Sequence, residues 1–253
     1  MTFDLVVATI GRVDELAELL DSLERQTHTN FRVLVVDQNG DDRLDGVLAA
    51  HGSLELERLR APSGLSRARN LALPLLRADV IAFPDDDCVY PDDLLERVAA
   101  RLTPNLDGVT GREPWWSAGP AILTRENLWN RAISFTIFLR REVVHRVGEF
   151  DESLGLPSSS GEEIDYLIRA LDAGARLEYD PSLVVLHPRK QIDLAAVGAR
   201  DGASIGYILR KHRYPAGVVA RMLVRPLGGA LLNRGRTRFH VATLRGRLRG
   251  YLQ

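Results

Sequence analysis

Cysteine is nearly absent: Cys88 is the only one in 253 residues. No internal disulfide can form, and a reducing compartment is the default expectation. Long apolar runs are missing too. No stretch of 18 uncharged apolar residues occurs, so no helix of ordinary length would span a bilayer. The segment Met1-Thr2-Phe3-Asp4 lacks the basic start of a signal peptide and runs straight into a strand-like stretch. A cytoplasmic protein is expected from these absences. Internal repeats and low-complexity segments are also lacking. What is present is ordinary for a globular chain, with 45% hydrophobic and 26% charged residues. That excludes wholesale disorder and suits one large domain, or one domain with an extension.

The net charge of −1 hides a division. Residues 1–188 hold 19 Lys and Arg against 32 Asp and Glu, and residues 189–253 hold 14 against 2. The tail is expected to meet something anionic, or to neutralise the acidic body across a contact.

Strand and helix patterns alternate along the first part of the chain. Leu5-Val6-Val7-Ala8, Val33-Leu34-Val35-Val36 and Val80-Ile81-Ala82-Phe83 are continuous apolar runs. A further strand is expected over 54–59. Val13, Leu16, Leu19, Leu20 and Leu23 recur at helical spacing. Helices are also expected over 66–77, ended or kinked by Pro74, and over 91–102. Later, 113–120 reads as a loop, 142–147 and 161–174 as helices, and 176–179 and 183–186 as strands. From Ile192 onwards helices dominate, broken by Pro215, Pro226 and Gly228-Gly229.

Apolar strands followed by helices imply an α/β fold with a mostly parallel sheet covered on both faces. Ligands of such sheets bind beyond the carboxyl ends of the strands. Polar clusters at Thr9, Asp37 and Asp85 all follow apolar runs, so they converge on one edge. That edge points to a nucleotide-type ligand.

Asp85-Asp86-Asp87 is the sharpest feature. Adjacent carboxylates at a strand end repel each other unless a cation intervenes. Alternate carboxylates hold hard cations such as Mg2+ or Mn2+, which complete their shell with phosphate oxygens. A solvated acidic turn is the plain alternative. Gly64-Leu65-Ser66-Arg67-Ala68-Arg69-Asn70 places guanidinium groups at a helix start, which suits phosphate. The alternative is a surface helix capped by Ser66. Glu162, Glu163 and Asp165 fill the first turn of a helix, either as dipole-favoured charges or as a general base. His187 ends a strand, as a polar terminus or as a neutral imidazole ligand. Trp115 and Trp116 either stack on a sugar or plug the edge of the core.

Taken in order, these residues resemble the family-2 glycosyltransferases of the GT-A fold. The matching stretches are Val7-Ala8-Thr9-Ile10-Gly11-Arg12, Val35-Val36-Asp37-Gln38-Asn39-Gly40, Gly64 to Asn70, and Phe83 to Cys88. They continue with Arg140-Arg141-Glu142 through Phe150-Asp151-Glu152, Gly161-Glu162-Glu163-Ile164-Asp165, and Tyr179-Asp180-Pro181 leading to His187. The resemblance covers residues 3–188, giving a glycosyltransferase domain over 1–188 and a basic helical extension over 189–253.

The resemblance implies an inverting, metal-dependent transfer from a nucleotide diphosphate sugar, UDP by family habit, to an acceptor hydroxyl. Thr9, Arg12 and Asp37 would cradle base and ribose, and Arg67 or Arg69 would approach the nucleotide or its phosphates. Asp85 and Asp87 match the D-x-D motif. Asp87 would bind Mn2+ or Mg2+ directly, while Asp85 or Asp86 would hold ribose or metal-bound water. His187 matches a position that binds metal in some members. Glu162-Glu163 matches the family's Glu-Asp pair, whose second member is the base. Here that residue is a glutamate, one methylene longer, so both Glu163 and Glu162 are candidates.

The acceptor would be a glycan or a lipid-linked molecule of cell-envelope, polysaccharide or glycolipid synthesis. In the tail, Val218, Val219, Met222, Leu223, Leu227, Leu231 and Leu232 recur near helical spacing, with Arg221, Arg225 and Arg234 between them. That pattern suits a peripheral anionic membrane surface on the inner face of the cell membrane. A lid on the acidic body and a homodimer contact are the alternatives. Nucleic acid is not expected, since no DNA-binding motif appears. Two other functions are the alternatives, of which the first shares the sheet and metal logic. A nucleotidylyltransferase would be expected to place a Gly-rich loop and a lysine near the first strand, whereas Lys190 and Lys211 are the only lysines. A non-catalytic nucleotide-sugar-binding protein would lack the base or the metal motif.

Overall fold

The computed structural model describes residues 1–116, 118–155, 160–188 and 193–253. Ser117 of the expected loop and residues 189–192 of the expected extension lie outside them. The chain divides into two compact units. The first is Met1–Phe150 with Tyr166–Pro188, and the second is Asp151–Asp165 with Arg189–Gln253.

The first unit is built on strands β1 (Phe3–Thr9), β2 (Phe31–Asp37), β3 (Leu56–Arg60), β4 (Val80–Ala82), β5 (Gly108–Arg112), β6 (Ala121–Ile122), β7 (Ile137–Arg140) and β8 (Leu177–Val184). Their order in the sheet is β3-β2-β1-β4-β7-β5-β8-β6. β3, β2, β1 and β4 run parallel, whereas β7 is antiparallel to both β4 and β5. Both faces of β1 and β2 are buried, which is why they read as unbroken apolar runs. Helix α1 (Asp14–Glu24) lays Leu16, Leu19, Leu20 and Leu23 on the core.

One charge is sealed within β1. Asp4 is fully buried and takes Arg32 Nε at 2.6 Å and the N–H groups of Arg77 and Ala78 at 2.7 and 3.0 Å. Burial pushes its carboxyl up, but these donors hold it below the usual range.

Several elements depart from the sequence pattern. A short helix, α2 (Asp45–Ala50), follows the acidic turn after β2. Helix α3 (Leu65–Ala72) ends in a 3-10 turn at Leu73–Leu75 that contains Pro74. Ser66 does not cap it. Gly64 does, at φ 139°, and Ser66 is buried inside the helix. Helices α4 (Leu94–Arg101) and α5 (Arg141–Val147) lie where expected. The two expected strands at 176–186 are one strand, β8, and its pairing with β5 slips around Pro181. β5 contains Gly108 and Gly111 because neighbouring chains approach too closely for a side chain. A Cβ on Gly111 would lie 2.2 Å from the Leu183 carbonyl oxygen.

Helix α6 (Glu162–Asp172) begins in the second unit, which also holds α7 (Leu194–Lys211), α8 (Ala216–Leu232) and α9 (Thr237–Leu252). α7 and α9 run side by side in one direction, in backbone contact. A Cβ on Gly206 would meet the Arg247 carbonyl oxygen at 2.1 Å, and one on Gly250 would meet that of Ala203 at 1.9 Å. α8 is unbroken through Pro226 and Gly228-Gly229, contrary to the expected interruption. Pro226 cannot donate to the Met222 carbonyl, and Arg247 of α9 donates to that oxygen instead. Arg247 is buried for this role, and burial, with Arg225, lowers its guanidinium to about 10. No described helix is long and apolar enough to cross a membrane.

Candidate active site

The parallel register places the expected residues on one sheet edge. Thr9 pairs with Asp37 at the ends of β1 and β2, and Ala8 bridges to Asp85 just beyond β4. The turn after Asp85 is fixed by a second bridge, in which Val89 and Leu186 exchange N–H···O bonds of 2.8 and 3.0 Å. Asp87, two residues before Val89, and His187, next to Leu186, therefore meet, with His187 Nε2 at 3.1 Å from Asp87 Oδ1. The His187 ring stacks flat on Phe135, centroids 4.8 Å apart.

Asp85, Asp87 and His187 offer ligand atoms that all lie within 4.8 Å of one another. Two carboxylates and an imidazole fit a divalent cation. The carboxylates suit Mg2+ and Mn2+ alike. Ser134 Oγ donates to Asp85 Oδ1 at 3.0 Å and steadies it. A second acidic cluster, Asp21, Glu24 and His51, is a surface clasp. Both His51 nitrogens are engaged there, by Val47 O at 2.7 Å and Asp21 Oδ1 at 3.0 Å.

Asp86 faces the opposite partner. Arg12 NH1 reaches Asp86 Oδ1 at 2.5 Å and Asp87 Oδ2 at 3.0 Å. Burial pushes the Asp86 carboxyl above the usual range despite Arg12 and Thr9. The bond to Asp87 raises the His187 imidazole, against the effect of its burial. Thr9 Oγ1 donates to the Arg12 carbonyl at 3.4 Å. Cys88, next along the chain, is fully buried, and burial and the adjacent carboxylates hold its thiol protonated.

Asp37 is fully buried and occupied by protein groups. Arg58 donates from Nε and NH2 at 2.9 and 2.6 Å, and Asn39 donates from its backbone and side chain, both at 2.8 Å. The two arginines of α3 differ. Arg67 is exposed, whereas Arg69 is buried between the rings of Phe83 and Phe150, 5.7 and 5.4 Å away. Arg69 NH2 lies 3.5 Å from Asp85 Oδ1. Trp115 is 46% exposed, so it does not plug the core.

The first turn of α6 carries the other carboxylates. Glu162 is buried and Glu163 half-buried. Asp165 has a separate job: it is fully buried and takes Lys211 Nζ at 2.6 Å and His212 Nε2 at 2.8 Å from the end of α7. Lys211 also reaches Asp151 at 2.6 Å. Arg58, Ser134 and Phe135 were not identified from the sequence. They stand far along the chain from the groups they support, with no local motif to mark them.

Residues 4–148 match the profile described as Glycosyl transferase family 2. The pre-mycofactocin glycosyltransferase of Mycobacterium tuberculosis is 27% identical over 232 residues, covering 82% of this chain and 47% of that protein. Glycosyltransferase AglE of Haloferax volcanii is 24% identical over 206 residues, 74% of this chain and 66% of AglE. The chain thus spans about half the length of the mycobacterial relative. Among solved structures, the mannosyltransferase PcManGT from Pyrobaculum calidifontis, in complex with GDP-Man and Mn2+, aligns with a TM-score of 0.73 at 15% identity, over 98% of this chain and 86% of its own. S. aureus TarS 1–349 in complex with UDP-GlcNAc aligns with a TM-score of 0.66 at 16% identity, over 96% and 90%. These two share the GT-A fold with this chain. With the profile matched along more than half its length, the chain belongs to glycosyl transferase family 2.

Proposed function

We propose that the protein moves a sugar from a nucleotide diphosphate sugar to an acceptor hydroxyl with inversion, through its 1–188 domain. The observation that carries this reading is the meeting of Asp85, Asp87 and His187 beyond the carboxyl ends of parallel strands. Mn2+ or Mg2+ held there would neutralise charge on the leaving diphosphate. Arg12 holds Asp86 and Asp87 in place, and Thr9 anchors the Arg12 backbone. Asp37 orders the loop that faces base and ribose through Asn39, whose Oδ1 takes the Gly11 N–H at 2.7 Å. Arg67 is the exposed cation for the nucleotide phosphates, and Arg69 orients Asp85. Glu163 takes the proton of the acceptor hydroxyl, with Glu162 beside it. The nucleotide sugars bound by PcManGT and TarS support the donor class.

The basic extension, 189–253, is assigned to the anionic inner surface of the cell membrane, where a lipid-linked envelope acceptor would lie. Leu231 and Leu232, 80% and 91% exposed at the end of α8, support this.

A donor-hydrolysis screen over UDP-, GDP- and dTDP-sugars, with Mn2+, Mg2+ or chelator, tests the reading. Turnover is expected only with a divalent cation. Asp87→Asn should lower it by roughly 10²-fold or more, a scale already reached when a group supporting a metal ligand is lost. Full wild-type activity in chelator overturns the assignment.

A further inference from the structure

The second unit holds a cleft of about 870 Å³ between α7 and α9 that no step above uses. Its floor is made of small residues, among them Ala199, Ala203, Gly246 and Gly250. They leave an apolar trough because these two helices touch backbone to backbone. Its walls carry Arg200 and Arg210 from α7 and Arg245 and Arg249 from α9. Arg200 is paired with Asp201 at 2.9 Å. Arg210, Arg245 and Arg249 form no ion pair among the described residues, and the sequence from 202 to 253 contains no acid. Like charges gathered around one cleft raise a positive potential that favours an anion.

The cleft has the volume of a small-molecule site, within the usual range of roughly 300–1,000 Å³. A phosphate alone would leave the apolar floor unmatched, and a neutral chain would leave the arginines unmatched. On α9, Leu248 and Leu252 follow Arg245 at three and seven residues, on the same helical side, and are 42% and 80% exposed. Apolar surface therefore continues alongside the charge.

The cleft also shares its helix with the candidate base. Ser204, a cleft residue, takes the backbone N–H of Ser160 at 2.9 Å, and Ser160 Oγ donates to Asp201 at 2.9 Å. Further along α7, Lys211 and His212 hold Asp165. The segment 160–165 that carries Glu162 and Glu163 is thus seated on α7.

We propose that this cleft binds the acceptor, a phosphorylated lipid that carries the reacting hydroxyl on its head group, with its phosphate on Arg210, Arg245 and Arg249 and its chain on the small-residue floor. The proposal rests on the glycosyl-transfer reading for the word acceptor, but the binding site stands on its own geometry.

The test uses the full chain and three probes at equal ionic strength, measured by titration calorimetry. Dodecyl phosphate, below its micelle concentration, combines head and chain. Dodecyl maltoside offers the chain without the anion, and inorganic phosphate the anion without the chain. Dodecyl phosphate should bind saturably, at least tenfold more tightly than either control. Arg245→Gln with Arg249→Gln, both exposed positions, should weaken it at least tenfold and leave Mn2+-dependent nucleotide diphosphate binding unchanged. Equal binding of maltoside, equal binding of inorganic phosphate, or an unaffected double variant overturns the site. So does attachment to phosphatidylglycerol vesicles without saturable dodecyl phosphate binding. Donor turnover without dodecyl phosphate binding sinks the cleft and spares the transferase reading. Dodecyl phosphate binding without any donor turnover does the reverse.

Discussion

Two helical glycines of the second unit should respond to the same substitution with opposite signs. Gly206 lies where α7 meets α9, and an added Cβ would stand 2.1 Å from the Arg247 carbonyl oxygen and 2.7 Å from the Tyr251 nitrogen. Both are backbone atoms, so no side chain can swing aside, and the helices must separate by about 1 Å. Overpacking of this kind costs about 1–3 kcal/mol, and the better helix propensity of alanine returns up to about 1. Gly206→Ala should therefore destabilise by up to about 2 kcal/mol, or up to roughly 8 °C in Tm for a chain of this size. Gly228, within α8, has nothing within 4 Å of an added Cβ. Gly228→Ala should stabilise by up to about 1 kcal/mol. Urea and thermal unfolding followed by circular dichroism at 222 nm report these helices. If Gly206→Ala matches or exceeds Gly228→Ala in stability, the close helix contact is not formed.

Other substitutions probe the remaining devices. Glu163→Gln should abolish transfer to acceptor and leave nucleotide binding intact, and an active Glu163→Gln beside a dead Glu162→Gln would reassign the base. Asp4→Asn takes the buried carboxylate from Arg32, leaves it Glu57 at 3.0 Å, and should cost about 1–3 kcal/mol. The Asp4 carboxyl sits below its unfolded value, so its contribution is present above about pH 4 and lost as pH falls further. The variant should then show a flatter acid limb in a pH series of urea midpoints. Arg247→Met should destabilise the native chain by about 1–3 kcal/mol through the orphaned Met222 carbonyl. In a Pro226→Ala background, where the helix satisfies that carbonyl itself, the loss should shrink, and simple additivity in the double-mutant cycle would refute the link.

The parallel half of the sheet is legible in the sequence because strands buried on both faces must be apolar throughout, as at 5–8, 33–36 and 80–83. The other half is not. β7 runs directly into α5 with no glycine or proline between them, and β5 carries two glycines that normally argue against a strand. β8 absorbs Pro181 at a slip in its pairing. For the site, the residues that announce themselves are neighbours in sequence, such as Asp85, Asp86 and Asp87. Long-range pairings carry no such sign. Ser134 reaches Asp85 across 49 positions, and Arg58 reaches Asp37 across 21. Pro226 misleads for a related reason, since the group that compensates for it comes from the next helix.

The burial of Cys88 gives this chain a built-in clock. With its one thiol sealed at 0% exposure and its pKa raised by burial, the native surface should be silent towards maleimides. A cysteine placed at Leu231 or Leu252 can carry a fluorophore without first removing the native thiol. Cys88 itself should react only when the core around it opens. Its labelling rate, divided by that of a free thiol, gives the fraction of molecules open at Cys88, beside the acidic turn. A donor nucleotide that locks the turn should slow that clock in proportion to its occupancy.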